Sequence, residues 1–75
     1  MNIYLVRRTD YAGWDQYCGL VCVARTEEEA KSLNPGSGEG AEDWVTKDLM
    51  SVTILGKAEE KYCYPRIILT DFKRG

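Results

Sequence analysis

Within a dozen residues this chain switches from one backbone habit to another. Leu20-Val21-Cys22-Val23-Ala24 is a short apolar run with two β-branched members, and Thr26-Glu27-Glu28-Glu29-Ala30 follows almost at once. An apolar run of about five residues fits a strand that is apolar on both faces. Side chains alternate across a strand, so Tyr17, Gly19, Val21 and Val23 share one side and Cys18, Leu20, Cys22 and Ala24 the other. Thr26 has the chemistry of a helix N-cap, its hydroxyl accepting an otherwise unpaired backbone N–H. Glu29, three residues on, completes the spacing of a capping box, and three carboxylates in the first turn suit the positive end of the helix dipole. Asn34-Pro35 stops the helix, because the residue before proline avoids the α region. A helix of about two turns does not persist alone in water, so Ala30 and Leu33 are expected to hold it against a sheet.

The flanks supply that sheet. Asn2 to Arg8 reads as a first strand, with Ile3 and Leu5 on one side and Tyr4 and Val6 on the other. Thr9 to Asp15 is a turn, where Asp10 and Gly13 provide turn chemistry. Tyr11 and Trp14 load that turn with aromatics, which either fold back on the sheet end or form an exposed contact loop. Pro35 to Asp43 is a connection rich in glycine and acid, without the Gly-Lys-Ser/Thr of a phosphate loop. Trp44 is expected to anchor it to the core. Met50 to Ala58 reads as a third strand, with Val52, Ile54 and Gly56 on one side and Thr53 and Leu55 on the other. Tyr62 to Phe72 contains a fourth, and Pro65 favours a strand start or an edge there. The expected fold is α+β: a four-stranded, mainly antiparallel sheet with one short helix on one face, in the order ββαββ. The long loop with Trp44, or a second copy of the chain, would cover the remaining apolar face. A homodimer would also use open strand edges.

Seventy-five residues make a single small domain, residues 1–75, with a small core. The net charge of −2 argues against direct nucleic-acid binding, which normally needs a basic excess. No run is long enough for a transmembrane helix, and the first residues lack signal-peptide character, so the expected place is the cytoplasm.

Catalytic constellations are missing from the sequence. There is no histidine and no CxxC pair. Cys18 and Cys22, about 13 Å apart along a strand, are too distant for a disulfide. The three cysteines are expected to be reduced core residues. No metal or other cofactor is expected, and the chain is not expected to be an enzyme. Two sets of residues are candidates for contact. Tyr11, Trp14 and Asp15 form an aromatic and acidic turn, the kind of composition found at binding hot spots. Glu27, Glu28 and Glu29 on the helix, with Glu39, Glu42 and Asp43 in the loop, make an acidic set whose ordinary reading is cap and solvated surface. Arg7, Arg8 and Arg66 would form an anion site if strand four ran antiparallel beside strand one. Scattered surface charge is the alternative.

The string Trp14-Asp15, Tyr17, Gly19, Val21, Val23-Ala24, Thr26-Glu27-Glu28-Glu29-Ala30 resembles the first half of a group of small phage and prophage proteins. Trp44, Leu55-Gly56-Lys57-Ala58, Phe72 and Gly75 extend the likeness. The resemblance implies phage origin and carries no catalytic residue. It suggests an anti-CRISPR-like inhibitor that binds a Cas effector in the infected host and blocks nucleic-acid access or nuclease recruitment. On that reading the acidic residues face a basic channel. Two other expectations stand beside it: sequestration of a small nucleotide signal, and a structural or accessory homodimer.

Overall fold

The computed structural model describes residues 1–10, 16–35, 44–45 and 47–73, and only the backbone of residues 16, 72 and 73. In chain order come β1 (Asn2–Arg8), β2 (Gln16–Ala24), α1 (Glu27–Lys31), a 3-10 turn (Lys47–Leu49), β3 (Met50–Lys57) and β4 (Arg66–Lys73). The protein is a small α+β domain built on a four-stranded antiparallel sheet, with a single short helix among the described residues.

The strands lie in the order β3-β1-β2-β4. The two oldest strands in the chain are therefore central, and the two later ones form the edges. β1 pairs with β2 from Asn2↔Ala24 to Arg7↔Gly19, and with β3 from Asn2↔Lys57 to Arg8↔Met50. β4 pairs with β2, from Gln16↔Lys73 to Val23↔Arg66.

Alternation and register sort the side chains. Tyr4, Val6, Leu20, Cys22 and Ala24 fall on one side and bury together with Ala30 of α1. Tyr4 faces Cys22 across the central ladder, and Val6 faces Leu20. Leu33, Trp44, Met50, Val52 and Ile67 pack against this cluster. Burying a side chain of the Val or Leu class contributes about 1.5–3 kcal/mol, so a few such residues carry most of the fold. We call this the packed side. Ile3, Leu5, Val21 and Val23 alternate onto the reverse side, where Val23 is also buried. Trp44 itself packs on the core, and the connection before it lies outside the described residues.

Gly19 explains itself by contact. A Cβ there would sit 2.8 Å from the backbone oxygen of Val6, so β1 and β2 approach more closely than a side chain permits.

The helix is held at its start by two local bonds. The Glu29 N–H donates to the Thr26 hydroxyl at 3.1 Å. The Glu29 carboxylate accepts from the Arg25 N–H at 2.8 Å, one residue earlier than the reciprocal bond of a capping box requires. The backbone of Thr26 is extended, as an N-cap should be.

Three irregularities depart from simple alternation. β3 is offset against β1 between Ile3 and Tyr4, where Gly56 faces Ile3 and Ile54 faces Tyr4. Gly56 therefore lies on the side opposite to Ile54, not with it. β4 is offset between Val21 and Cys22, with Ile68 as the extra residue, and β2 is offset between Tyr17 and Gly19. Such bulges reverse the sidedness beyond them.

Residues 58–65 join two strands at opposite edges, so the connection passes the ends of both central strands. The distance is about 14 Å, three strand spacings of ~4.8 Å. On the way, the Ala58 N–H donates to the Met1 carbonyl at 3.0 Å.

Candidate interaction surface

Tyr11, Trp14, Asp15, Glu39, Glu42 and Asp43 lie outside the described residues. Of the acidic set, Glu27 and Glu28 are described, and both are exposed at the start of α1. Glu28 pairs with Lys47 at 3.3 Å, and Glu29 with Arg25 at 3.5 Å. Both pairs are largely solvent-exposed, and pairs of that kind contribute only about 0–1 kcal/mol each.

The three arginines do not converge. The expected site needed β4 beside β1, but β4 pairs with β2, and β1 lies between β2 and β3. Arg7 faces Gly19 at one end of the ladder, whereas Arg66 faces Val23 near the other. Arg8 is also committed. Its Nε donates to Asp10 at 2.6 Å and its Nη2 at 3.0 Å, a bidentate pair, while Nη1 donates to the Tyr17 carbonyl at 3.2 Å. The Arg8 guanidinium, bonded to the carboxylate, holds Asp10 below its usual pKa of 3.8. This arginine braces the start of the β1–β2 connection and leaves no fork for an anion.

Arg66 has a different setting, which sequence reading missed. Its guanidinium lies over the ring of Tyr62 at 4.9 Å and that of Tyr64 at 5.3 Å. Lys61 lies over Tyr62 at 5.4 Å, and Arg66 Nη1 donates to the Tyr64 hydroxyl at 3.3 Å. Stacks of this kind hold a guanidinium in place. The alternation of Tyr62, Tyr64 and Arg66 was the available signal, since i, i+2, i+4 residues line one side of an extended segment.

The thiols divide sharply. Cys22 is fully buried, and loss of hydration pushes its pKa up to about 11. All three cysteines were expected in the core, but Cys18 is half-buried outside the core cluster and Cys63 is exposed in the crossing connection. Its neighbours Tyr62 and Tyr64 point to a strand-like core segment in sequence, but the connection runs past the sheet end instead.

Large aliphatic side chains lie exposed on the edge strands. On β3 these are Ile54 and Leu55, and on β4 they are Ile68 at 46 % and Leu69 at 66 % exposure. Beside Leu69 runs a shallow groove of about 80 Å³, lined by Leu5, Gly19, Leu20, Val21, Leu69, Thr70 and Asp71. Pockets that enclose small ligands are typically about 300–1,000 Å³. No group of three His, Cys, Asp or Glu side chains suited to a metal occurs among the described residues. Nor is any described helix long and apolar enough to cross a membrane. No protein-family model, curated protein or solved structure matches this chain.

Proposed function

We propose that this chain is a binding protein of phage origin that works in the cytoplasm of an infected bacterium, without catalysis, by occupying the surface of a host defence protein. A Cas effector or complex subunit is the leading target, and the mode is that of an anti-CRISPR inhibitor. The observation that carries the binding class is the placement of Ile54, Leu55, Ile68 and Leu69, exposed on the two outer strands of the described sheet. Exposed aliphatics along a sheet edge favour contact with another polypeptide. The phage assignment is supported by the resemblance of the strand, cap and turn residues described above. Glu27 and Glu28, exposed at the helix start, supply part of the acidic surface that a basic nucleic-acid channel would attract.

The architecture we assign is ββαββ with α1 against one face of the sheet. It is supported by the burial of Ala30 among Tyr4, Val6, Leu20, Cys22 and Ala24. That arrangement leaves the edges available for partners.

The experiment is a plaque assay. Bacteria with a CRISPR system that targets a lytic phage are expected to regain plaques by orders of magnitude when they express this chain. The Glu27→Lys/Glu28→Lys variant is expected to lower that recovery. If plaque counts stay at the immune level across several CRISPR types, the inhibitor reading is wrong.

Sequestration of a nucleotide signal is a second reading, favoured only by the Tyr62–Arg66–Tyr64 stack, where a base and a phosphate would find aromatic and cationic partners. A ligand of the native state must raise the melting temperature, so a flat response across a nucleotide panel excludes it.

A further inference from the structure

We propose that β4 is the seam of a symmetric dimer, its free edge pairing antiparallel with β4 of a second copy so that Arg66 meets Asp71 of that copy and Ile68 meets Leu69. The proposal rests on the geometry of this edge and not on the inhibitor reading.

Among the described residues β4 has one strand neighbour, β2, so one row of its backbone N–H and C=O groups has no described strand beside it. Such an edge is a template for another strand unless it is blunted. β4 places its two most exposed aliphatics, Ile68 and Leu69, at its centre.

Sidedness and charge together favour one register. Ile67 faces Cys22, Thr70 faces Leu20, and both therefore lie on the packed side. Arg66 faces Val23, Leu69 faces Val21 and Asp71 faces Gly19, which places all three on the reverse side. The extra residue, Ile68, is where the alternation reverses. In an antiparallel pair, directly opposite residues lie on the same side of the sheet. A two-fold axis between Ile68 and Leu69 satisfies this on both sides of the bulge. Ile67 then meets Thr70 of the second copy, packed side to packed side, and Arg66 meets Asp71, reverse side to reverse side. Moving the axis one residue onward sets Leu69 against Thr70, from opposite sides. A slip of one residue is costly for this reason.

Charge agrees with sidedness. The chosen register creates two Arg66–Asp71 pairs, because a two-fold interface repeats each contact. The Asp71 side chain has no ion pair or hydrogen bond to any described residue. Arg66 has no carboxylate partner among them either, and its tyrosine stack holds it at the start of the strand. The other edge offers no such match. β3 carries Lys57 as its one charged residue, so it has no opposite charge to present to its own copy. The product of β4 pairing is a continuous eight-stranded sheet, β3-β1-β2-β4 followed by the same order reversed.

A seam of one strand per chain is small for an interface, so dissociation in the micromolar range is expected. The test is sedimentation equilibrium of the full chain with reductant present, since Cys63 is exposed and would otherwise cross-link copies. Wild type is expected to move from the 8.5 kDa of one chain towards twice that mass as concentration rises. Asp71→Arg is expected to raise the dissociation constant at least tenfold, and the charge swap Arg66→Asp/Asp71→Arg to recover most of the loss. Leu55→Lys, on the other edge, is expected to leave it unchanged. Circular dichroism checks that each variant is folded, and Leu69→Lys replaces Asp71→Arg should the latter fail to fold. A monomer at all concentrations overturns the proposal. So does a dimer indifferent to Asp71→Arg, or one abolished by Leu55→Lys.

Discussion

At the scale of single residues, burial sets the chemistry of the thiols. Cys22 is enclosed by the central ladder, and its pKa is pushed up to about 11 from an ordinary 9.0. Reactivity belongs to the thiolate, so a buried, protonated thiol is inert. A brief pulse of iodoacetamide on native protein near neutral pH is expected to modify Cys63 and spare Cys22. Peptide mass mapping would sink this if both were labelled at the same rate. The sign of the accompanying pH effect is fixed. The folded state raises the pKa, so stability from the neutral buried thiol is complete below about pH 9 and is lost as pH rises toward about 11. Cys22→Val is expected to flatten that alkaline loss. Cys22 was readable as a core residue from the alternation of the Leu20–Ala24 run. Cys63 was not, because its exposure follows from where the connection travels, which no local pattern encodes.

Elements whose cause lies within a few residues were legible. β1 spans the residues its alternation marked, and α1 begins where Thr26 and the glutamates place it. The cap is a bond between neighbours, and its loss has a known scale. Thr26→Ala is expected to lower stability by about 1 kcal/mol, within the range of roughly 0.5–2 for such caps. Urea titration would show an earlier midpoint with an unchanged slope. A variant as stable as wild type would mean that packing of Ala30 alone holds the helix. The bulges at Ile68 and Leu55 were not legible, since each depends on the strand opposite. The acid-arginine geometry was half legible for the same reason. Arg8 finds Asp10 two residues away, but the separation of Arg7 from Arg66 is decided by which strands are neighbours.

For the molecule as a whole, the ordering of strands was the quantity beyond local reading. The sequence left the order open, with an arginine site conditional on β4 beside β1, and β4 lies outside β2. Both edges of β1 are taken, by β2 and β3, and the connection at 58–65 crosses the ends of both central strands before β4 begins. That crossing also divides the sheet in time. β1 and β2 are joined by a short link, whereas the ladders β1–β3 and β2–β4 unite residues from opposite halves of the chain. Closing a long loop costs entropy before any contact rewards it, so the central hairpin is expected to form first and the flanks later. Native-state hydrogen exchange is expected to find the slowest amides between β1 and β2. Equal or greater protection along β4 would refute that order. β4 hangs from residues 58–65 at the margin of the sheet, so the edge proposed to join two copies is also the edge by which they would exchange strands.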